Sequence, residues 1–197
     1  MYKALGQQLR KPSGFFGKLV SKLLLLKNKQ FYVKILNELE LKSEDKIFEI
    51  GYGPGQGIKM ITHKLKNCKI HGIDFSELMY NQAIKRNRKF VDRNIVGLTF
   101  GDFLTSETEQ EKYNKIFCVN VIYFWSDLHT VFMKIYAMLE KGGIFCIYMA
   151  HENDLKMKFT IEFNKYSIEK VIDELKLVGF INVSFKFVPG YYIKAVK

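Results

Sequence analysis

From residue 46 onward, short apolar runs alternate with segments whose apolar residues recur at helical spacing. The first run, Lys46–Ile50, is rich in strand-forming residues. The segment 58–65 then carries apolar residues every three to four positions, as one face of a helix does. The pattern predicts a strand at 46–50 and a helix at about 57–66, joined by a turn.

The same alternation continues to the end of the chain. Further strands are predicted at 69–74, 96–100, 115–120 and 144–149, and further helices at about 77–90, 128–139 and 168–178. The run 115–120 is apolar on both faces, as a central parallel strand should be. The last two strands, 180–188 and 191–196, meet at Pro189-Gly190 and indicate a hairpin. The order predicts an α/β fold with one open sheet.

Polar capping residues and glycines mark the predicted helix ends. Ser76, Asp127 and Ser167 precede predicted helices, where their side chains can accept hydrogen bonds from free N–H groups. Lys141-Gly142-Gly143 and Gly179 follow predicted helices and are expected to stop them.

Residues 1–44 precede the alternating pattern and are expected to form a helical arm on a domain of residues 45–197. The polar segment 1–11 predicts irregular structure, and Pro12-Ser13-Gly14 is a helix-start signal with Ser13 as a candidate N-cap.

Two helices are predicted in this arm, at 15–26 and at about 30–39. The first has a broad apolar face made of Phe15, Phe16, Leu19, Val20, Leu23 and Leu26, and the second turns Phe31, Ile35, Leu36 and Leu39 inward. We expect both helices to pack against the domain, where they could form a lid. The alternative is a helix that lies on a membrane surface.

Basic residues are concentrated in this arm. The chain has 31 basic and 20 acidic residues, a net charge of +11, and eight of the cations precede residue 35 with no carboxylate among them. Such an arm could meet the phosphates of lipid or nucleic acid. The chain contains few arginines, which recognise phosphate better than lysines, so a solvated basic face is the favoured interpretation.

The cysteines and histidines indicate neither disulfides nor metal binding. Cys68, Cys118 and Cys146 form no C-x-x-C pair, and two of them lie in apolar runs, so core positions in a reducing, cytoplasmic compartment are expected. His63 and His71 have no partner at ligand spacing, and we predict no metal. No apolar run approaches the ~18 residues of a membrane-spanning helix.

A glycine-rich turn, KIFEIGYGPGQG at residues 46–57, carries the strongest functional signal. Glycines allow a ligand to approach bare backbone, and the helix that follows points free N–H groups at the turn. The dinucleotide fingerprint G-x-G-x-x-G is not met, because Gln56 stands at its third glycine. Glu49 would repel a pyrophosphate and attract a ligand that carries an ammonium and a sulfonium.

This turn resembles motif I, (E/D)-x-G-x-G-x-G, of the class I, Rossmann-like S-adenosyl-L-methionine (SAM)-dependent methyltransferases. The resemblance implies SAM as cofactor and S-adenosyl-L-homocysteine as product. It extends over nearly the whole chain and implies a seven-stranded sheet of order 3-2-1-4-5-7-6 with helices on both faces. Within the family, the chain is similar to small bacterial quinone-biosynthesis C-methyltransferases.

Two acidic residues at strand ends extend the cofactor prediction. Asp74 follows Gly51 by 23 residues, where a carboxylate can accept both ribose hydroxyls, although it could instead cap the next helix. The resemblance implies that Asp102 accepts the adenine amino group, and Met79 is placed to cover the ring. The full cofactor set is Glu49, Gly51, Tyr52, Gly53, Gly55, Asp74, Phe75, Met79, Gly101, Asp102, Phe103, Asn120 and Val121.

The acceptor is expected near Asn120, after the fourth strand. Methyl transfer is an in-line displacement in which positioning contributes most, and a base is needed only if the nucleophile carries a proton. Candidate bases are Tyr123, His129, His151 and Glu152, of which Tyr123 and His151 are preferred and His129 is expected to lie on a helix surface.

The aromatic run after Asn120 has two interpretations. Tyr123, Phe124 and Trp125 could wall the pocket and shield the sulfonium by cation–π contact, or they could be core residues. No Asp/Asn-Pro-Pro-(Tyr/Phe) sequence follows the strand, so methylation of nucleic-acid amino groups is not expected.

The leading hypothesis is a small-molecule methyltransferase. Alternatives are a lipid or isoprenoid-quinone methyltransferase at a membrane surface, and a non-catalytic SAM-binding protein with an RNA or protein partner. A nicotinamide oxidoreductase is disfavoured by Glu49 and Gln56. Oligomeric state is not predicted.

Overall fold

A computed structural model describes residues 2–108, 111–151, 153 and 163–197. In these residues one seven-stranded sheet has the order β3-β2-β1-β4-β5-β7-β6, which confirms the predicted topology. The strands are β1 Lys46–Ile50, β2 Lys69–Asp74, β3 Val96–Phe100, β4 Tyr113–Val119, β5 Leu139–Met149, β6 Ile181–Phe187 and β7 Tyr191–Val196. Strands β1 to β5 pair in parallel, and β7 pairs antiparallel with both β5 and β6.

Helices cover both faces of the sheet. They are α1 Tyr2–Arg10, α2 Gly14–Glu38, α3 Gln56–Lys64, α4 Glu77–Val91, α5 Leu128–Met138 and α6 Ile168–Val178, with a 3₁₀ turn at Ile122–Phe124. Among the described residues, no helix is long and apolar enough to cross a membrane.

Side-chain alternation along the strands builds two hydrophobic clusters, one on each face. Phe48 and Ile50 of β1 join the cluster under α5 and α6. Ile47 joins the other cluster, beneath α3, α4 and the second half of α2. Successive residues of a strand point to opposite faces, so a strand buried on both sides is apolar throughout.

The helix caps largely follow the prediction. The side chains of Ser76, Asp127 and Ser167 accept hydrogen bonds from backbone N–H groups in the first turns of α4, α5 and α6. Gly179, in the left-handed region, ends α6. The prediction that Lys141-Gly142-Gly143 stops α5 is wrong. The helix ends at Met138, and the glycines lie inside β5, where the pairing with β4 shifts register.

The N-terminal predictions need three corrections, two of which concern helix bounds. Segment 1–11 is not irregular, because α1 spans Tyr2–Arg10 and the Gln8 side chain accepts a hydrogen bond from the Ser13 backbone. The two helices predicted at 15–26 and 30–39 are one continuous helix, α2. No glycine or proline interrupts residues 27–30, so their polar side chains do not end the helix.

The first half of α2 also faces the other way from the prediction. Phe15 and Leu26 are about four-fifths exposed, at 80% and 78%, and of the six residues on the predicted apolar face only Val20 is buried. The small residues Gly17 and Ser21 take the inner face. A Cβ atom on Gly17 would stand 2.8 Å from Leu78 of α4, so the two helices pack too closely for larger side chains there. The second half agrees with the prediction: Ile35, Leu36 and Leu39 are buried.

Candidate active site

The glycine turn after β1 is open where a ligand would enter. Gly53 has φ +52°, in the left-handed region that favours glycine, and an added Cβ would meet no protein atom within 4 Å. Gly55, at φ 76°, precedes the first turn of α3. The free N–H groups of α3 therefore begin directly behind the turn.

Asp74 ties this turn to the end of β2. Its Oδ2 accepts a hydrogen bond from the Gly53 N–H at 2.8 Å, and its Oδ1 accepts one from the Ser76 N–H at 2.9 Å. Burial raises the pKa of the carboxyl to about 6, and the two backbone hydrogen bonds oppose that rise. Each carboxylate oxygen retains capacity for a further donor.

Glu49 is fully buried beneath the start of α3. The Tyr32 hydroxyl donates a hydrogen bond to Glu49 Oε1 at 2.9 Å, while Oε2 has no partner among the described residues. Burial raises the pKa of this carboxyl well above its ordinary value, against the hydrogen bond from Tyr32. Gly57 is required here because an added Cβ would lie 2.8 Å from Glu49 Oε2.

A cavity of about 310 Å³ lies at the carboxyl ends of β1 to β4. Residues from the strand ends and from the first two helices line it together: Leu9, Arg10, Pro12, Leu24, Asn28, Tyr32, Ile50, Gly51, Gly53, Pro54, Gln56, Ile73, Asp74, Phe75, Met79, Gly101, Asp102, Phe103, Leu104, Val119, Asn120, Val121, Phe124, Trp125 and Ser126. In an α/β sheet, ligands bind at this edge.

The structure gathers most of the predicted cofactor set around this cavity. Gly51, Gly53, Asp74, Phe75, Met79, Gly101, Asp102, Phe103, Asn120 and Val121 line it. Glu49, Tyr52 and Gly55 do not appear in its lining. The Tyr52 side chain crosses to β3, where its hydroxyl donates to the Thr99 carbonyl oxygen at 2.9 Å.

Tyr123 lies behind the cavity wall. Its hydroxyl donates to Asn120 Oδ1 at 3.2 Å and accepts from the Ala150 N–H. Asn120 itself lines the cavity in the left-handed region, at φ 58°. In this geometry Tyr123 links the residue that follows β4 to the residue that follows β5. Its catalytic role stays a prediction. Its neighbours Phe124 and Trp125 do line the cavity.

The other predicted bases lie apart from the cavity lining. His151 packs against the hairpin, with its ring 5.7 Å from Tyr191 and 5.6 Å from Phe187. His129 is a surface residue whose Nδ1 is 3.3 Å from Glu174 Oε2. Glu152 lies outside the described residues. Within the described part of the chain, no group of three potential metal ligands occurs.

The sequence reasoning missed the N-terminal residues that line the cavity. Leu9, Arg10 and Pro12 come from the first helix and its end, and Leu24 and Asn28 come from α2. Asn28 and Tyr32 are four positions apart, so they share one helix face with the buried Ile35. These two polar side chains on the inward face of α2 were the sequence signal that could have indicated a role in lining the cavity.

The cavity suits the cofactor that the motifs imply. The open turn at Gly53 leaves space against bare backbone, and the carboxylates of Asp74 and Asp102 stand at neighbouring strand ends. Gln56 lines the same cavity, and its Oε1 is buried without a hydrogen-bond partner in the described residues. Such acceptors match a ligand with ribose hydroxyls and amino groups.

Comparison with known proteins agrees with this geometry. Residues 48–145 match the model of a family described as a methyltransferase domain. The chain is 30% identical over 153 residues to YdaC, an uncharacterized methyltransferase of Bacillus subtilis, across 77% of this chain and 80% of that protein. It is 29% identical over 169 residues to a phosphoethanolamine N-methyltransferase of Plasmodium falciparum, across 81% of this chain and 62% of that enzyme.

A solved structure shows the same fold. Phosphoethanolamine N-methyltransferase 2 of Haemonchus contortus, in complex with phosphomonomethylethanolamine and S-adenosylhomocysteine, superposes with a TM-score of 0.74 at 18% identity. The match covers 86% of this chain and 52% of that one. The relationship to the Bacillus methyltransferase over most of its length, together with the sheet order, shows that this chain belongs to the class I SAM-dependent methyltransferases.

Proposed function

We propose that this methyltransferase acts on a small molecule that binds beneath α1 and α2, at the Phe124 end of the cavity. The observation that carries the proposal is the cavity itself. Its carboxylates, Asp74 and Asp102, lie on the β2 and β3 side, and its aromatic wall follows β4. Cofactor and acceptor would therefore occupy separate regions of one cavity.

Several lining groups would hold the cofactor. Asp74 would accept the ribose hydroxyls, and Asp102 would accept the adenine amino group. The Gly51–Gly53 backbone would hold the methionine portion, and the cavity-lining groups Gln56 and Tyr32 would receive its ammonium, with the buried Glu49 carboxyl behind Tyr32. When bound, SAM supplies a methyl group on a positively charged sulfur. These carboxylates and amide oxygens then hold the positively charged ligand in place.

The first two helices would exclude water from the acceptor region. Leu9 and Leu24 close it with apolar surface, and Phe124 stands 6.0 Å from the Arg10 guanidinium at the same edge. Exclusion of water and correct orientation of the acceptor are the main contributions that an enzyme makes to this displacement.

The acceptor region favours a nucleophile that needs no strong base. Among the described lining residues beyond Asn120, the side chains are Val121, Phe124, Trp125 and Ser126, none of which is a good proton acceptor near neutral pH. A neutral amine or a preformed anion fits this wall. The phosphoethanolamine enzymes act on an amine, which supports this class, while the narrower similarity to quinone-biosynthesis enzymes stays a prediction.

The test is methyl transfer from labelled SAM into a cell extract, followed by fractionation. Label in small aqueous metabolites is the expected result, and Asp74→Ala should strongly reduce it. Label in the organic phase would favour the lipid alternative, and label in RNA or protein would contradict the proposal.

A further inference from the structure

The outer face of α2 is apolar and uncovered along its first half. Phe15 is 80% exposed, Phe16 71%, Leu19 54%, Leu23 52% and Leu26 78%. At roughly 3.6 residues per turn, these five side chains fall within an arc of about 100°. We call these five residues the apolar stripe. An uncovered patch of large side chains at one place is unusual for a monomer and marks an interaction surface.

Lysines border the stripe on both sides. By the same helical periodicity, Lys18, Lys22 and Lys29 follow one edge and Lys27 lies on the other, and all four are exposed. Residues 1–34 contain eight cations and no carboxylate. A helix with large apolar residues flanked by lysines is typical of helices that lie in the plane of a membrane interface.

The charge of the surrounding residues indicates which partner covers the apolar stripe. A second copy would bring two carboxylate-free basic segments together, which is unfavourable. A nucleic acid would attract the lysines but leave the stripe uncovered. The surface of an anionic bilayer satisfies both features, because it takes the apolar side chains between its head groups and attracts the lysines around them. We propose that α2 docks the enzyme on anionic membranes through the apolar stripe.

Docking would bring the active site to the membrane. The face of α2 opposite the stripe carries Leu24 and Asn28, which line the cavity. One helix diameter, about 10 Å, therefore separates the bilayer from the cavity. The docking surface itself is independent of which acceptor the enzyme methylates.

The experiment is flotation of the full chain with vesicles of phosphatidylcholine mixed with phosphatidylglycerol, at low salt. The wild type should float, and the double variant Phe16→Glu, Leu23→Glu should bind about tenfold more weakly or worse, because it removes apolar contacts and adds charges that the lipid repels. Leu177→Glu on α6 is the matched control: Leu177 is 71% exposed and lies outside the stripe, so this variant should float like the wild type.

Neither Phe16 nor Leu23 lines the cavity, so the SAM affinity and the thermal unfolding of the double variant should match those of the wild type. That control separates loss of docking from loss of the cofactor site. Absence of wild-type flotation, equal flotation of the double variant, or equal binding to pure phosphatidylcholine would overturn the proposal. A dimer that the double variant dissolves, without vesicle binding, would assign the stripe to a second copy instead.

Discussion

At the scale of single residues, the sequence predicts where Asp74 lies but not which hydrogen bonds its side chain accepts. Its place at the end of β2 follows from the strand pattern, and so does its suitability for ribose hydroxyls. Its hydrogen bonds to the N–H groups of Gly53 and Ser76 depend on how the turn folds back over the strand end. One carboxylate therefore stabilises the glycine turn and is also a candidate SAM-binding group.

The raised pKa of Asp74 predicts opposite pH effects on folding and on SAM binding. The pKa rises from 3.8 to about 6, so without SAM the folded state binds this proton more tightly than the unfolded chain does. This group's contribution to the free energy of unfolding therefore falls as pH rises from about 4 to about 6. Ribose hydroxyls would donate to the ionised form, so the dissociation constant for SAM should rise up to tenfold per pH unit below about pH 6.

Calorimetric titration of SAM between pH 5 and pH 8 checks this dependence. Asp74→Asn, which cannot ionise, should bind weakly and with little change across the same range. A wild-type dissociation constant that is equally flat would remove Asp74 from the ribose site.

Gly53→Val should abolish SAM binding. Its φ of +52° costs a side chain roughly 1–2 kcal/mol, and the new side chain would occupy the open space of the turn rather than clash with protein atoms. Gly142→Val is the matched control, because Gly142 has φ +77° and equal open space but lies in β5, outside the cavity lining. Calorimetry and thermal unfolding should show similar destabilisation in both variants and SAM binding in Gly142→Val alone. Retained binding in folded Gly53→Val would contradict the geometry.

At the scale of elements, the sheet and the N-terminal caps of α4, α5 and α6 were predictable from the sequence. The orientation of α2 was not. The strands carry period-two or wholly apolar patterns, and Ser76, Asp127 and Ser167 stand where caps are needed. Helix α2 is apolar on two faces, so its pattern does not say which face is buried. Gly17 and Ser21 decide the matter, because small side chains allow close packing on α4.

Helix α2 is also joined to the motif by the Tyr32–Glu49 hydrogen bond. Tyr32→Phe leaves the buried Glu49 carboxyl without a side-chain donor, so it should lower the free energy of unfolding by roughly 1–3 kcal/mol. Tyr192→Phe is the control, because the Tyr192 hydroxyl is buried without a hydrogen-bond partner among the described residues, and its loss should cost little. Denaturant unfolding measures both. Equal effects of the two substitutions would mean that the hydroxyl of Tyr32 contributes nothing specific.

At the scale of the whole molecule, the chain places its cavity where sheet and N-terminal helices meet. The strand ends supply the carboxylates and the glycine turn, and α1 and α2 supply the roof. The motifs in the sequence indicated the carboxylates and the glycine turn. The roof was predicted only as a lid in general terms, because its contacts join residues 9–32 to strand ends far along the chain, and no local pattern encodes such contacts.

The central claim is that SAM binds in this cavity with Asp74 as a principal contact. Calorimetric titration of SAM into the wild type and Asp74→Ala at pH 7.5 tests it most directly. We predict one site per chain in the wild type, and at least about tenfold weaker binding in the variant, because hydrogen bonds to a charged group contribute roughly 1.5–3 kcal/mol. Equal affinity in both proteins, or tight binding of a nicotinamide dinucleotide without binding of SAM, would contradict the account.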